Sequence, residues 1–315
     1  MTTAKIDGKV DPAIHSLDHF CFSVPRLADA RNFYKEFGLD VRETDGGIDL
    51  YAFGNPHRWG IVRPSSRKKL EYLSFGIYAE DLDLFCKRIA DMKIELMSAP
   101  PGGSDEGLWF RSPDGLALQL RVAAKTSPDE KAQFDVRSVG PGECAAIERS
   151  RAPRVFPRRL SHFMIFSSDV RRDLAFYQTV LGLRLSDHAG GSVAFMHGAH
   201  GSDHHLLALA LSQGPGMHHS SWDVGTIQEV GLGGMHMAEH GFDKGWGLGQ
   251  HVLGANYFQY VRDPWGSYAE YSCDIDYIPA GHEWPAADHP LGDALYLWGP
   301  PVPEDFVTNF EVTYV

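Results

Sequence analysis

The sequence predicts an α+β protein whose chain is divided into four similar units, arranged as two tandem pairs. Three observations support this prediction: a repeated strand–helix segment, a repeated turn near the end of each pair, and a charged stretch with Pro and Gly between the pairs. Because repeated units fold alike, these repeats set the architecture of the whole chain.

The first repeat is a strand–helix segment that begins at His19 and again at His162. Each copy opens with an apolar run, and a Phe-Tyr pair begins fourteen residues after the histidine in both copies. A Gly-Leu pair begins nineteen residues after the histidine in one copy and twenty in the other. Each copy therefore predicts a strand, a polar turn, an amphipathic helix and a glycine that ends the helix.

The helix of the second copy is predicted from one apolar face. Leu174, Tyr177, Val180 and Leu181 recur at helical spacing. Gly182 follows at once and can adopt the left-handed conformation that commonly ends a helix.

The second repeat is a Pro-x-Gly turn, at residues 113–115 and again at residues 264–266. Such turns are hairpin signals, and in both copies a short apolar strand follows. One copy ends a unit that began near Tyr72, and the other ends a unit that began near His219.

These boundaries predict an N-terminal domain over residues 1–124, a linker over 125–157, a C-terminal domain over 158–275 and a tail over 276–315 that packs on the C-terminal domain. We expect the arginines at the end of the linker to pair with acidic surface groups rather than to bind phosphate. They are Arg149, Arg151, Arg154, Arg158 and Arg159.

The two halves differ at three corresponding positions. In the N-terminal half these are His19, about Tyr72, and Gln119. In the C-terminal half they are His162, His219 and Glu270. Two imidazoles and one carboxylate on neighbouring strands form a facial triad that leaves half of an iron ion's coordination sphere open. The sequence therefore predicts one metal site, in the C-terminal half, and a lapsed site in the other.

Net charge, apolar runs and cysteine spacing limit the functions that this protein could have. The net charge is −12 and no long basic stripe is present, which argues against nucleic-acid or acidic-membrane binding. No apolar run approaches the ~20 residues of a membrane span. The four cysteines have no paired spacing, which favours reduced thiols and a cytoplasmic location.

One continuous stretch carries a family resemblance. Residues 247–251 end in His251, and residues 256–271 contain Tyr260, an Asp-Pro-x-Gly turn and then Glu270. In this order they resemble the signature of the type I extradiol ring-cleavage dioxygenases of the vicinal oxygen chelate superfamily. The resemblance covers about residues 14 to 275.

The resemblance implies four βαβββ modules and Fe(II) inside the C-terminal domain, held by the three residues of the triad. Mn(II) fits the same ligands. It also implies a reaction, the meta cleavage of a catechol-type ring with O2, and a homo-oligomer that is a tetramer or larger. His205 would be the acid–base residue, with Tyr260 and His251 as hydrogen-bonding groups beside the substrate.

Several alternatives stay open at this point. His218 competes with His219 as a metal ligand, because adjacent strand residues face opposite sides, and His204 competes with His205. Four aromatic residues are candidates for a substrate pocket: Trp222, Trp246, Phe258 and Trp265. Gln250 replaces an arginine often found in the family, which favours a substrate without a strongly acidic substituent. A glyoxalase-like isomerase and a non-catalytic binding protein are the rival functions.

Overall fold

The computed structural model describes residues 11–136 and 138–312. The outer ends of the predicted N-terminal domain and of the tail, and one position of the predicted linker, lie outside the described residues.

The N-terminal half forms one seven-stranded mixed sheet with two helices. The strands follow the order β2-β3-β4-β1-β5-β7-β6. They are β1 (Ser16–Val24), β2 (Asp40–Thr44), β3 (Gly47–Tyr51), β4 (Arg58–Pro64), β5 (Lys69–Ile77), β6 (Leu108–Arg111) and β7 (Ala117–Val122). The helices are α1 (Leu27–Glu36) and α2 (Leu82–Asp91).

The C-terminal half forms an eight-stranded sheet in the order β14-β15-β16-β13-β8-β12-β10-β9. Its strands are β8 (Arg159–Ser167), β9 (Arg184–Ala189), β10 (Val193–His197), β12 (Leu207–Leu211), β13 (Gly216–Asp223), β14 (Gly245–Gln250), β15 (Tyr257–Arg262) and β16 (Tyr268–Cys273). Its helices are α3 (Val170–Leu181) and α4 (Ile227–Glu239). A small separate sheet pairs β11 (Ser202–Asp203) with β17 (Tyr277–Ile278), and α5 (Leu291–Ala294) lies in the tail.

The two sheets have the same order of equivalent strands, so the predicted α+β fold class is confirmed. The N-terminal sheet has one strand fewer than the C-terminal sheet. In its described part, no strand is equivalent to the edge strand β14. The chain there contains Pro100 and Pro101, which have no backbone N–H to donate to a sheet. A single backbone hydrogen bond, from Met97 N to Trp109 O at 2.8 Å, lies beside this edge.

Helix α3 ends where the sequence predicted, and most of the predicted apolar face is buried. The Asp169 side chain accepts a hydrogen bond from Arg172 N and so caps the first turn. Tyr177 and Val180 are buried, and Gly182 ends the helix with a φ of 72°. A side chain at position 182 would meet Ala13 at 2.7 Å, so both the conformation and the space favour glycine.

The two halves share one hydrophobic core. The Phe20 ring lies 4.8 Å from that of Phe163, and Trp222 approaches Phe20 at 6.4 Å between ring centroids. Apolar burial between the sheets therefore fixes the two halves against each other.

All five arginines at the linker and its C-terminal end pair with carboxylates, although Asp203 and Asp223 are buried rather than on the surface as expected. The pairs are Arg149–Glu239 at 2.8 Å, Arg151–Glu148 at 3.4 Å, Arg154–Glu36 at 3.4 Å, Arg158–Asp223 at 2.8 Å and Arg159–Asp203 at 2.8 Å. Within the described ranges, no helix has the length and apolar character needed to cross a membrane.

Candidate active site

The strand registers bring His162, His219 and Glu270 to one face of the C-terminal sheet. Ser221 on β13 pairs with His162 on β8 and also with Glu270 on β16. Directly paired residues point to the same face, and residues two apart on a strand do so as well. The side chain of His219, two residues before Ser221, therefore joins the other two.

The three side chains are buried and close together. The distance from Glu270 Oε2 is 3.2 Å to His162 Nε2 and 3.6 Å to His219 Nε2. One ligand atom from each of the three lies within 4.8 Å of the others. Among the described residues no fourth histidine, cysteine or carboxylate joins this group.

Two atoms of this group, His219 Nε2 and Glu270 Oε2, are buried without a hydrogen-bond partner. Each such group costs about 1–3 kcal/mol when it is left unpaired. A divalent cation between them would satisfy both atoms at once. The residues therefore fit a metal ion of the kind that imidazole and carboxylate ligands bind.

The N-terminal half provides an internal comparison, because its registers are the same. Ser74 pairs with His19 and with Gln119, and Tyr72 lies two residues before Ser74, as His219 lies before Ser221. Here the polar atoms satisfy one another. His19 hydrogen bonds to Tyr72 Oη at 3.2 Å, and Gln119 Oε1 accepts from Ser74 Oγ at 2.7 Å. The N-terminal set therefore has no need of a cation.

The ring of His219 is held by its neighbour on the strand. Its Nδ1 lies 2.7 Å from Nδ1 of His218, so one of these two nitrogens donates to the other. When His219 is the donor, its Nε2 carries a lone pair and faces Glu270. Burial, and then the neighbouring His218, lower the pKa of His219 well below its usual value, which keeps the ring neutral.

His218 lies away from the triad, among the rings of Phe166 and Phe306 at 5.1 and 4.8 Å. Burial lowers the pKa of His218 to about 4. Of the two alternatives left open by the sequence, the structure places His219 in the group.

Asn256 was not identified from the sequence, although it begins the stretch that carries the family resemblance. Its Nδ2 donates to Glu270 Oε1 at 3.2 Å and to Ser272 Oγ at 2.9 Å. Burial works to raise the pKa of Glu270, but the His162 ring outweighs it, and the pKa is lowered. Asn256 therefore holds an ionised carboxylate in position.

His205 lies against the triad, with its ring centroid 4.0 Å from that of His162. His204 lies on the side of His205 away from the triad, and its Nε2 donates to Asp187 Oδ2 at 2.9 Å. The Nδ1 atoms of His204 and His205 are 3.0 Å apart. When the His204 ring is neutral, its Nδ1 accepts from His205, and the Nε2 lone pair of His205 is left free.

Asp187 and the tail support this arrangement, and neither was predicted to do so. Asp187 also accepts from Trp284 Nε1 at 3.2 Å and from His289 Nε2 at 2.9 Å. Burial lowers the pKa of His205 well below its usual value, with a further contribution from His162. His205 is therefore neutral at rest.

Tyr260 and His251 meet on the other side of Glu270. The Tyr260 hydroxyl lies 2.9 Å from His251 Nε2, and His251 Nδ1–H donates to the carbonyl of Leu295 at 2.6 Å. Since Nδ1 carries the proton, Nε2 accepts from the tyrosine. Burial, and then the charge of Glu270, raise the pKa of Tyr260 well above its usual value, so the phenol stays protonated.

Aromatic rings line this side of the site. Trp246 and Phe258 lie 5.6 and 4.1 Å from the ring of His251. Of the four aromatic candidates, Trp222 and Trp265 instead pack with the main core. Phe195, which the sequence did not single out, lies 4.9 Å from His205.

The Gln250 side chain is held by the tail and a neighbouring loop. Its Oε1 accepts from Trp298 Nε1 at 3.0 Å, and its Nε2 donates to Ala255 O at 3.0 Å. The residue before His251 therefore offers no cation here.

Comparisons with known proteins agree with this geometry. A family model described as the Glyoxalase/Bleomycin resistance protein/Dioxygenase superfamily matches residues 16–120 and 159–271. "Metapyrocatechase 2" of Cupriavidus necator is 47% identical over 299 residues, which cover 95% of this chain and 93% of that protein.

Solved structures show the same fold at lower identity. An extradiol ring-cleaving dioxygenase from B. fuscum superposes with a TM-score of 0.75 at 20% identity, covering 96% of this chain and 84% of that chain. The Mn(II)-bound glyoxalase of Novosphingobium aromaticivorans superposes with a TM-score of 0.71 at 21% identity, covering 95% and 98%. This chain belongs to the glyoxalase/bleomycin resistance protein/dioxygenase superfamily, and its resemblance to the extradiol dioxygenases of that superfamily is confirmed.

Proposed function

We propose that this protein is an extradiol dioxygenase that cleaves a catechol-type ring with O2 at an Fe(II) ion held by His162, His219 and Glu270. The observation that carries the proposal is the buried triad with its two unpaired atoms, beside an equivalent N-terminal set that is fully paired. The relative from Cupriavidus necator, 47% identical and named a metapyrocatechase, supports the reaction class.

The metal ion, when bound, would bring the catechol oxygens and O2 together and pass electron density between them. Fe(II) is the ion we propose, and Mn(II) suits the same donors. The protein contributes the remaining chemistry through groups whose protonation the structure sets.

His205 moves a proton on one side of the site. Its free Nε2 takes a proton from the incoming catechol hydroxyl, and the resulting imidazolium returns it to an oxygen that develops charge later in the reaction. Asp187 stabilises the charged state through His204, which lies between them.

Tyr260 and His251 orient the substrate on the other side. The Tyr260 phenol stays protonated, and in the free site its one proton is donated to the bare Nε2 of His251. When the substrate binds, the hydroxyl turns this proton to a ring oxygen. The tail closes over this side, since Leu295 and Phe306 contact the site residues directly, and it excludes water.

The substrate we propose is a catechol with a neutral or apolar substituent. Gln250 is occupied by Trp298, so no cation at that position is available for an acidic group. Trp246, Phe258 and Phe306 form an aromatic cluster with Tyr260 that suits an apolar ring substituent.

The decisive experiment begins with protein purified without O2 and reconstituted with Fe(II). Catechols with apolar, neutral and acidic substituents are then added, followed by air. We expect a yellow ring-cleaved product and one O2 consumed per molecule of product. Colourless solutions across the whole panel, with iron measured in the protein, would refute the proposal and leave the isomerase or the binding protein as the function.

A matched pair of variants assigns the metal to the C-terminal half. His162→Gln should lose the iron and all turnover, whereas His19→Gln changes the equivalent residue of the N-terminal half and should keep both. Iron content of the two variants, measured after the same reconstitution, shows which half holds the metal.

The homo-oligomer and the cytoplasmic location expected from the sequence stay predictions. Sedimentation of the purified protein would test whether it is an oligomer.

A further inference from the structure

A second cluster of metal-ligating side chains lies where the two halves of the molecule meet. Glu36 is the last residue of α1, His236 lies in the last turn of α4, and His240 follows the end of α4. Glu36 Oε2 is 2.9 Å from His236 Nε2 and 3.8 Å from His240 Nε2. One ligand atom from each residue lies within 4.8 Å of the others, and neither the triad nor the tail takes part.

The two histidines are presented as a pair. They are four residues apart and so share one face of α4, where their rings stack at 4.0 Å. His240 Nδ1–H donates to the carbonyl of His236 at 2.8 Å. Its proton is thereby fixed on Nδ1, and the lone pair of Nε2 is free, as in metal-binding histidines whose second nitrogen donates to a carbonyl.

The backbones on both sides are held rigidly. The ring of Phe37, next to Glu36, stacks on Tyr271 at 3.9 Å, and the Tyr271 hydroxyl donates to the carbonyl of Phe37 at 2.8 Å. Phe33 contacts Phe242, just beyond His240, at 5.1 Å. The ligand positions are therefore set by buried packing between α1, α4 and β16, before any ion binds.

We propose that Glu36, His236 and His240 form a second metal site, which takes Zn²⁺ and joins the N-terminal half of the chain to the C-terminal half. Tetrahedral Zn²⁺ holds its ligands roughly 3.4 Å apart, and the two distances observed from Glu36 lie on either side of this value. Two imidazoles and one carboxylate favour Zn²⁺ over Mg²⁺ or Ca²⁺, which prefer oxygen ligands alone.

The surroundings give the ion access to the cluster. An open groove between the linker and α4, lined in part by Pro153, Met235 and His236, reaches the cluster at His236. Arg154 lies 3.4 Å from the same Glu36 oxygen and also donates to the carbonyl of Lys35. Its side chain is 34% exposed, so it can keep the bond to Lys35 or turn into solvent when the ion takes its place beside Glu36. This site stands independently of the function proposed for the triad.

The test compares Zn²⁺ binding by full-length protein and its variants after removal of bound metals. Equilibrium dialysis against micromolar Zn²⁺, followed by metal analysis, should give one fewer Zn²⁺ per chain for the double variant His236→Asn/His240→Asn than for the unaltered protein. His188→Asn is the matched control, because His188 also lies near a carboxylate, 3.2 Å from Asp288, but belongs to no cluster of three ligands among the described residues. The control should bind as much Zn²⁺ as the unaltered protein.

A second measurement tests whether the ion joins the two halves. Zn²⁺ should raise the Tm of the unaltered protein more than that of the double variant, since an ion that binds only the folded state stabilises it. Glu36→Gln should weaken binding at this site at least tenfold. Equal Zn²⁺ content in the unaltered protein and the double variant would overturn the proposal, and unchanged affinity in Glu36→Gln would overturn the bridging role of α1.

Discussion

Asp187 is the residue whose replacement tests most of the reasoning about the site. It contacts no residue of the triad, but it accepts hydrogen bonds from His204, His289 and Trp284. In Asp187→Asn the carboxylate charge is lost, and the new amide can turn its NH2 group toward His204. The proton of His204 would then move to Nδ1 and be donated to Nδ1 of His205, so the proton of His205 would move to Nε2 and the free lone pair facing the site would be lost.

The size of the effect on stability follows from the pKa of Asp187. Burial alone would raise this pKa, but the hydrogen bonds from His204 and His289 outweigh it and lower the pKa from 3.8 to about 2. A lowered folded-state pKa stabilises the protein above pH 3.8, and the contribution is lost as the pH falls through about 2. At neutral pH we therefore expect Asp187→Asn to lower the free energy of unfolding by about 2 kcal/mol.

The fall in kcat should be larger than the loss of stability can explain. Replacing a residue that orients a catalytic or metal-binding histidine typically costs about 10–100-fold in activity. We expect kcat to fall in this range while the iron content stays the same, measured with an oxygen electrode and by metal analysis. Urea unfolding at pH 7 and at acidic pH gives the stability change, which should shrink as the pH approaches the pKa of Asp187.

His289→Ala is the control, because it removes a hydrogen bond to Asp187 without touching His204. It should lower stability and leave kcat within a few-fold of that of the unaltered protein. If Asp187→Asn and His289→Ala have the same kcat, the proposed link from Asp187 through His204 to His205 is wrong.

Four further predictions concern the metal ligands, the proton carrier, the hydrogen-bond donor Tyr260 and the glycine that ends α3. His219→Ala and Glu270→Ala should each lose the iron, and retention of a full equivalent by either variant would contradict the ligand assignment. His205→Ala should keep the iron but lose most of its turnover, and intact activity would mean that the proton carrier is another residue. Tyr260→Phe should bind iron normally with kcat lowered about 10²-fold or more, as is typical for loss of a hydrogen-bond donor aimed at a reacting oxygen, and a change in KM alone would contradict this role. Gly182→Ala should lower the free energy of unfolding by at least about 1 kcal/mol in a urea titration, because φ is 72° there, with no change in turnover per folded molecule.

The sequence was sufficient for the features that repeat or that have a regular period. The segment beginning at His19 and repeated at His162 predicted the strand–helix units, and the apolar spacing with Gly182 predicted α3 and its end. The repeated Pro-x-Gly turn aligned Gln119 with Glu270, and the strand registers have these residues at equivalent positions. Such features depend on neighbours a few residues away, so the local order of residues determines them.

Adjacent residues could not be told apart by the sequence. His204 and His205 both precede a strand, and His218 and His219 lie on one. Only the tertiary structure places His205 against His162 and turns His204 toward Asp187. Which of two adjacent side chains faces the site depends on where the neighbouring strands and the tail lie. The spacing of residues along the chain does not determine these positions.

The same limit explains the contacts made by the tail and between the halves. The carbonyl of Leu295 orients His251 from 44 residues away, and Glu36 meets His236 across 200 residues. Contacts of this kind have no period and no fixed spacing, because they arise only when hydrophobic burial has packed one element on another. The chain alone thus determined which units it forms and which side chains are able to bind a metal, and the packed structure decided which of them meet, in which tautomer and against which part of the tail.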